Sequence, residues 1–456
     1  MTLKGQFHDS TRPFGLLKPT TIRKIRRVKQ LAWEKLHCGN WRSVSIAWRH
    51  LYALCARLEL WSCREQMEYA LFAKQLDLAV VLGHPRDAAC CQQLLLAHPP
   101  PVPSASCCHL LPMSCSHSRD SAVPRALNPH LELDIAHLPA SAACSLFHAA
   151  HVDTALPCVL QAATDGWPAA CSSTADVETA GPTSAKWAQL AFWQGVLGQR
   201  YVPLEIGSHY MSKQWTQKML PGDALLAQIC SEPHCAAHAN KAGEDAASHE
   251  QKMYLAQHDL FSQIPQLLRD IVTPPHCLFV PRTPDSCGDS AASPPPVGPD
   301  ALPRVCWRPR HSASAAGGGG GGAPEPPLMP DYAGWWQPQC PIGHQDGVLR
   351  QIWMGPQGTV SNLHFDDKLN ILVQVAGCKR VILVPPEHSV ALQPHEGTAW
   401  NTAQVDLWST TAPSLPGVRW ANVHLAPGDA LFIPPGWWHH ITAATDSISV
   451  SFWWDG

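Results

Sequence analysis

Apolar residues recur at helical spacing through residues 20–97. In the first run they fall three or four positions apart, at Ile22, Ile25, Val28, Leu31, Ala32 and Leu36, which places them on one face of an α-helix. Thr20-Thr21 are candidate N-caps for this helix, and Gly39-Asn40 form a candidate stop. A second run starts at Trp41, and a third starts at Met67 and ends near Gly83. The pattern predicts paired antiparallel helices, as in a small helical-hairpin domain.

The pattern changes to short strands between turns from about Leu131 onwards. We expect strands at Cys158–Leu160, Tyr201–Gly207 and Tyr254–His258, and a short helix from Trp187 to Leu197. Trp215 is predicted to lie on a helix that ends near Cys230. A further helical stretch should extend to about Ile271.

The stretch between Trp353 and Trp454 contains about eight strand-like pieces separated by turn signals such as Ala376-Gly377 and Pro427-Gly428-Asp429. Their even spacing suggests a double-sheet jelly roll. The expected fold class is therefore mainly β: a double-stranded β-helix (cupin-like) domain with flanking helices, preceded by an all-α N-terminal domain.

Three stretches lack either pattern. Residues 98–130 are rich in Pro, Ser and Cys, which is typical of a linker. Segments near 231–249 and 278–334 resemble insertions, and the second contains the six-glycine run Gly317 to Gly322, so we expect both to be disordered. The predicted organisation is a helical domain at 1–97, a linker at 98–130 and a β domain at 131–456.

Composition narrows the class of protein. The 456 residues allow two or three domains, and 45% hydrophobic content is enough for a sizeable core. The formal net charge of −3 gives no reason to expect nucleic-acid or membrane binding. No run of about 18 apolar residues and no secretory h-region are evident. We expect the 18 cysteines to be reduced thiols in nucleus or cytoplasm.

A basic run on the first predicted helix leaves two interpretations open. It contains Arg23, Lys24, Arg26, Arg27 and Lys29. Such a run can be a nuclear-import or nucleic-acid patch. A solvated helix face is the more common explanation of charge runs, and we favour it here.

The candidate chemistry centres on His364-Phe365-Asp366. Residues i and i+2 of a strand point to the same side, so His364 and Asp366 can converge, whereas Asp367 should point away. His439, with His440 next to it, lies near the end of another predicted strand. Two histidines and a carboxylate with open positions opposite are typical of non-haem Fe(II) oxygenases, although Zn or Mn would also accept this donor set.

Lys379 follows the turn at Gly377, and we expect it on a strand antiparallel to the one after Asp366. A buried ammonium there could bind a dianionic 2-oxo acid as a point charge. A surface strand lysine is the alternative.

Several longer strings resemble the JmjC-domain family of Fe(II)- and 2-oxoglutarate-dependent oxygenases. They are LAWEKLHCGNWRSV, VPLEIGSHY, YLAQHDLFSQIP, WMGPQGTVSNLH and SVSFWW. The likeness is greatest to members described both as lysine demethylases and as arginyl hydroxylases. The HFD of this chain replaces the HQD of the family and leaves both ligands intact.

The resemblance implies a role for particular residues. It implies His364, Asp366 and His439 as iron ligands, with His440 outside the shell. It implies 2-oxoglutarate contacts at Lys379, Tyr254, Ser361 and Asn370, with Trp453 in the wall of the same pocket. Glu205, Trp215 and Trp353 match positions that line a substrate side-chain pocket. No further catalytic residue is expected beyond the metal centre and its co-substrates 2-oxoglutarate and O2.

Three functions remain open on the sequence. The favoured one is hydroxylation of a protein side chain, with arginine first. The second is histone lysine demethylation through N-methyl hydroxylation, and the third is a non-catalytic JmjC binding protein. The expected partner is a protein substrate, such as a chromatin-associated or ribosomal protein or a histone tail.

Overall fold

A computed structural model describes most of the predicted ordered regions. The described residues are 17–36, 45–83, 87, 90–91, 94–95, 110–111, 123–170, 185–212, 214–230, 252–278, 346–409 and 412–455. The expected insertion near 231–249, all but the first residue of the one near 278–334, and most of the expected linker fall outside these residues.

The three predicted N-terminal helices are confirmed. They are α1 (Pro19–Leu36), α2 (Ile46–Cys63) and α3 (Tyr69–Leu82). The predicted N-cap at Thr20-Thr21 is wrong, because α1 already begins at Pro19, where a proline costs no helical hydrogen bond. Ser45 caps α2 by accepting from the amide of Ala47.

The N-terminal helices form a hydrophobic core of their own, and basic residues of α1 form ion pairs with α2. Apolar side chains such as Leu60, Phe72 and Leu76 are fully buried between α2 and α3. Arg26 and Lys29 of α1 both bind the carboxylate of Glu59 on α2. Two of the five basic residues therefore pair α1 with α2 instead of facing a partner.

Five shorter helices follow in the rest of the described chain. They are α4 (Cys144–Phe147), α5 (Leu190–Val196), α6 (Gly222–Cys230), α7 (Leu260–Gln263) and α8 (Ser389–Leu392).

The described strands form two sheets. They are β1 (Ala136–Pro139), β2 (Cys158–Gln161), β3 (Tyr201–Ile206), β4 (Thr216–Pro221), β5 (Met253–His258), β6 (Leu349–Gly355), β7 (Val360–His364), β8 (Leu369–Ala376), β9 (Lys379–Val384), β10 (Ala421–Leu425), β11 (Ala430–Ile433), β12 (Trp438–Ala443) and β13 (Ser447–Trp454). The larger sheet has the order β1-β2-β11-β8-β13-β6-β5-β3-β4, and the smaller has the order β10-β9-β12-β7. β6 to β13 are the eight predicted strands, and the two sheets face each other as a cupin-like β-sandwich.

Two local predictions about this domain are wrong. Trp215 does not lie on a helix: it precedes β4, which pairs antiparallel with β3, and α6 begins only at Gly222. Lys379 was expected on a strand antiparallel to the one after Asp366, but its strand β9 does not pair with β8: β8 lies in the larger sheet, and β9 pairs with β10 and β12 in the smaller one. The chain crosses between sheets at Gly377, whose φ of +69° and contact with the Asp446 carbonyl leave no room for a side chain.

Apolar side chains from the facing strands surround the space between the sheets. One cluster joins strands of both sheets, with Leu372 and Leu431 from the larger and Val381, Leu383 and Val423 from the smaller. Lys379 and His439 are also buried at this interior face. Because charged and polar groups are rarely buried without a partner, their position marks the candidate site.

Cysteine chemistry departs from the sequence expectation at one position. Free thiols occur at Cys55, Cys63, Cys90, Cys91, Cys144, Cys158, Cys230 and Cys277. Cys378 is disulfide-bonded, so the expectation of thiols throughout is wrong there.

None of the helices in the described ranges is both long and apolar enough to cross a membrane.

Candidate metal centre and adjoining cavity

The two histidines of the candidate triad are direct neighbours across two antiparallel strands. His364 is the last residue of β7 and His439 the second residue of β12, and they are register partners. The sequence pattern had placed His439 near the end of its strand. The structure places it near the start instead. The pairing brings the ring centroids to 4.2 Å.

Asp366 completes the cluster from the loop after β7. β7 ends at His364, so the strand alternation expected to align His364 with Asp366 does not extend to Asp366. Instead, the backbone carbonyl of Asp366 accepts a hydrogen bond from the amide of Gly436. The Asp366 carboxylate lies 4.0 Å from Nε2 of His364 and 3.7 Å from Nε2 of His439. One ligand atom from each residue lies within 4.8 Å of the others.

Backbone carbonyls set the tautomer of both histidines. Nδ1 of His364 lies 2.6 Å from the carbonyl of Asn362, and Nδ1 of His439 lies 3.0 Å from that of Trp437. A carbonyl oxygen can only accept, so each Nδ1 carries the proton and each Nε2 offers a lone pair to the cluster. Burial also lowers the pKa of His439 well below its usual range, which keeps the ring neutral.

The carboxylate of this cluster is destabilised as an anion. Burial raises the pKa of Asp366, and the nearby His364 offsets part of that effect. Two imidazole nitrogens and one carboxylate facing one point form a donor set suited to a divalent cation. Such a cation would compensate the buried negative charge.

Lys379 is a buried cation at the other side of the cavity. Its side chain is 2% exposed, and its Nζ donates to the hydroxyl of Tyr254 at 3.2 Å. No carboxylate of the described residues forms an ion pair with it, and burial lowers the pKa of Lys379 to about 7. Its Nζ also lies 5.8 Å from the centroid of the Trp353 ring. A buried ammonium with a phenol and an aromatic face as neighbours, and no carboxylate among the described residues, favours an anionic ligand.

The triad and Lys379 line one cavity between the two sheets. Its walls are formed by Tyr254, Trp353, Ser361, His364, Asp366, Asn370, Leu372, Lys379, His439, Ile441, Ser451 and Trp453. Nε1 of Trp453 and Oδ1 of Asn370 are buried there without a hydrogen-bond partner. A donor and an acceptor left unpaired in the same cavity are suited to a small polar ligand.

Glu205 and Trp215 lie beside this cavity but not in its wall. Nε1 of Trp215 donates to the Glu205 carboxylate at 3.2 Å. Glu205 on β3 is the register partner of Tyr254 on β5, so both side chains project from the same face of the sheet. Burial raises the pKa of Glu205 to about 7. Trp353, the third residue expected in a substrate pocket, does line the cavity and lies 5.9 Å from the Tyr254 ring.

Sequence reasoning missed several residues around the metal ligands. Tyr210 lies edge-on to His364, with centroids 6.4 Å apart, and its hydroxyl is 3.2 Å from Oγ1 of Thr402. Thr402 forms a β-bridge with His364. Tyr210 belongs to the VPLEIGSHY string, which offered one signal for it. Thr402, its hydrogen-bond partner, is 192 residues away and belongs to no recognisable motif, so the sequence does not reveal the contact.

His440 and Phe365 face away from the cavity. His440 follows His439 on β12 and does not line the cavity, and burial lowers its pKa to about 4. Phe365 packs edge-on against Trp400 and Trp438, at 5.0 and 4.8 Å between centroids. The residue between the two ligands therefore has a packing role.

Two known protein families match separate parts of the chain. The family described as "Cupin-like domain" matches residues 232–456, and the family "KDM8-like, N-terminal ARM repeats" matches residues 19–86. The paired helices α1 to α3 fall within the second match.

Curated relatives extend over most of the chain. Jumonji C domain-containing protein 5 of Drosophila melanogaster is 28% identical over 439 residues, which cover 93% of this chain and 84% of the relative. Lysine-specific demethylase 8 of Danio rerio is 26% identical over 448 residues, covering 96% and 88%. Lysine-specific demethylase JMJ30 of Arabidopsis thaliana is 29% identical over 277 residues, covering 60% and 47%. With its cupin-like β-sandwich, its His-Asp-His cluster and its KDM8-like N-terminal ARM repeats, the chain belongs to the JmjC family of 2-oxoglutarate-dependent oxygenases.

Proposed function

We propose that this protein is an Fe(II)- and 2-oxoglutarate-dependent dioxygenase that hydroxylates a protein side chain, with arginine as the first candidate, and releases succinate and CO2. The observation that carries the proposal is the cavity itself. It joins two imidazoles and a carboxylate to a buried lysine that has no carboxylate partner among the described residues.

His364, Asp366 and His439 would hold the iron. Their Nε2 atoms and carboxylate approach from one side, and the Nδ1 bonds to backbone carbonyls fix the two rings. Bound Fe(II) would supply the activation of O2, with 2-oxoglutarate as the two-electron reductant. The donor set alone would also accept Zn or Mn, and the family membership favours iron.

Lys379 would bind the distal carboxylate of 2-oxoglutarate, with Tyr254, Ser361, Asn370 and Trp453 as further contacts. The ammonium would pair with the carboxylate as a point charge, and the Tyr254 hydroxyl beside it can donate to the same group. The Nε1 of Trp453 would gain the acceptor that it lacks. The apolar side chains in the same wall, Trp353, Leu372 and Ile441, would exclude water and strengthen each contact.

Glu205, Trp215 and Trp353 would receive the substrate side chain. A carboxylate next to an indole suits a cation, since the carboxylate pairs with the charge and the aromatic face attracts it. A guanidinium offers several N–H donors to both Glu205 oxygens, whereas a methylated ammonium offers few or none. This difference favours unmodified arginine.

Histone lysine demethylation is the alternative. Two of the relatives are named lysine-specific demethylases, and N-methyl hydroxylation would use the same metal, Lys379 and Glu205. A non-catalytic binding protein is disfavoured, because the triad and Lys379 are both intact.

The type of substrate and the cellular compartment also belong to the proposal. We infer a protein substrate, such as a chromatin-associated or ribosomal protein or a histone tail, in the nucleus or the cytoplasm. The division into a helical domain at 1–97, a linker at 98–130 and an oxygenase domain at 131–456 remains a proposal at its boundaries.

Mass spectrometry of candidate peptides tests the proposal. The protein is incubated with Fe(II), 2-oxoglutarate and peptides that carry either unmodified arginine or methylated lysine. A gain of about 16 Da on arginine supports the hydroxylase, and a loss of about 14 Da from methyl-lysine supports the demethylase. His364→Ala is the control, and full 2-oxoglutarate turnover by that variant would refute the oxygenase assignment.

A further inference from the structure

A buried ion pair joins the N-terminal helices to the oxygenase domain. Asp77 of α3 is fully buried and binds Arg200 through both carboxylate oxygens, at 2.6 to 3.1 Å. Arg200 is 4% exposed and lies directly before β3. Asp77 also accepts the backbone amide of Tyr201, the first residue of β3, at 2.7 Å. A helix of the first domain thus supplies the acid that anchors a strand of the second.

The same network reaches the end of β5. Arg200 donates to the carbonyl of Gln263 at 3.2 Å, and the side-chain amide of Gln263 donates to the carbonyl of Tyr201 at 2.9 Å. Nε2 of His258, the last residue of β5, lies 2.7 Å from Oε1 of Gln263. One carboxylate from α3 therefore fixes two adjacent strands at the end where β3 begins and β5 finishes.

These two strands carry residues of the proposed site a few positions farther along. Glu205 lies four residues after Tyr201, and Tyr254 lies four residues before His258. Glu205 and Tyr254 are register partners. Their distance from the network is about 13 Å at the rise of an extended strand. A shift of β3 at its anchor would move Glu205 relative to the cavity.

The two strands differ in how much they depend on this anchor. β5 lies one strand farther from the edge of the sheet than β3 and pairs with β6, and Tyr254 also binds Lys379. β3 is the second strand from the end of the sheet, with only the edge strand β4 beyond it. We therefore expect loss of the anchor to disturb Glu205 more than Tyr254.

The burial of the pair argues against an independently moving helical domain. Separating Asp77 from Arg200 would leave uncompensated charges in a low-dielectric interior, which is strongly unfavourable. The carboxylate of Asp77 also outweighs the effect of burial on Arg200, so that the pKa of the guanidinium is raised. Lys74, one turn earlier on α3, lies 5.0 Å from the Tyr201 ring centroid and adds a cation–π contact.

We propose that Asp77 is a positioning residue for substrate binding: through Arg200 and Gln263 it makes the N-terminal helices hold β3, and with it Glu205, in place beside the cavity. The N-terminal domain is then a structural part of the substrate site. This inference rests on the proposed function in assigning substrate contact to Glu205.

The test compares Asp77→Asn with Glu59→Gln in the full-length chain. Glu59 provides a matched control, because it is a carboxylate that binds two basic side chains, Arg26 and Lys29, within the N-terminal helices. Both changes should lower the thermal midpoint, by roughly 5–10 °C for Asp77→Asn. Arg200→Lys, which keeps the charge but loses the forked geometry, is a milder second variant in case Asp77→Asn fails to fold.

Steady-state kinetics separate positioning from stability. At a temperature where all variants are folded, Asp77→Asn should raise the KM for the arginine peptide about tenfold, as for a loss of about 1.4 kcal/mol in binding. The KM for 2-oxoglutarate should stay within about twofold, because β6 and Lys379 still hold Tyr254. Arg200→Lys should change both values in the same direction by less. Glu59→Gln should leave both unchanged.

Two results would overturn the inference: an unchanged peptide KM in Asp77→Asn, or an equal rise in Glu59→Gln. Hydrogen exchange gives a readout without turnover, and amides of β3 should exchange about tenfold faster in Asp77→Asn only. If the wild-type protein hydroxylates no peptide, the proposed function has failed. The exchange result then still decides whether Asp77 holds β3.

Discussion

Replacing Lys379 with methionine should stabilise the ligand-free protein and at the same time abolish tight 2-oxoglutarate binding. The side chain is 2% exposed, and burial lowers its pKa from 10.5 to about 7. That difference corresponds to about 5 kcal/mol that folding loses by burying the ammonium. Methionine removes the charge and keeps most of the volume, but forfeits the Tyr254 contact of about 1 kcal/mol. We expect a net gain of about 2–4 kcal/mol.

The gain should depend on pH in a defined direction. A lysine whose folded pKa is lowered destabilises the fold fully below pH 7, where both states are protonated. Between pH 7 and 10.5 only the unfolded chain binds the proton, so the penalty shrinks as the pH rises. Lys379→Met should therefore raise the thermal midpoint at pH 6 and much less at pH 10.

Ligand affinity should change in the opposite sense. The variant leaves the distal carboxylate of 2-oxoglutarate buried without its cation, at a cost of about 2–5 kcal/mol. Calorimetry on Mn(II)-loaded protein should find binding weaker by at least about 30-fold. Lys368→Met, which removes a half-buried lysine paired with the exposed Asp455, should change neither property. A variant that is destabilised at pH 6 and still binds 2-oxoglutarate normally would refute the reasoning.

Three further outcomes are expected. His439→Ala should weaken Mn(II) binding, measured by electron paramagnetic resonance, by more than the roughly 10–100-fold typical of a supporting residue, and unchanged affinity would exclude it as a ligand. Burial raises the pKa of Glu205 to about 7, so the carboxylate is mostly ionised only above that pH. The affinity for an arginine peptide at saturating 2-oxoglutarate should therefore rise about tenfold from pH 6 to 8. Glu205→Gln should abolish this rise. Phe365→Gln should cost roughly 1–3 kcal/mol by denaturant unfolding, through its contacts with Trp400 and Trp438, without altering Mn(II) affinity.

The metal residues could be predicted from the sequence because their signal is local. His364 and Asp366 are two positions apart, and His439 follows a turn in a strand with its own pattern. Strand alternation alone, however, does not bring His364 and Asp366 together. Asp366 lies beyond the end of β7, and the amide of Gly436, 70 residues away, binds its carbonyl.

Long-range pairing explains the errors. Trp215 precedes an apolar run that is helical only from Gly222, and the strand in between forms because β3 pairs with it. β8 and β9 resemble a hairpin around Gly377, yet they lie in different sheets, which adjacent residues do not encode. The role of Asp77 likewise depends on a partner that is distant in the sequence. It lies among apolar residues of α3, and its partner Arg200 is 123 residues away.

The central claim is that the cavity couples 2-oxoglutarate decarboxylation to oxygen insertion into a protein side chain. Incubation under ¹⁸O₂ with Fe(II), 2-oxoglutarate and an arginine peptide tests it most directly. We expect one ¹⁸O atom in each hydroxylated arginine and one succinate per product, both lost in His364→Ala. Oxygen derived from water, or a hydroxylated product formed without succinate, would contradict it.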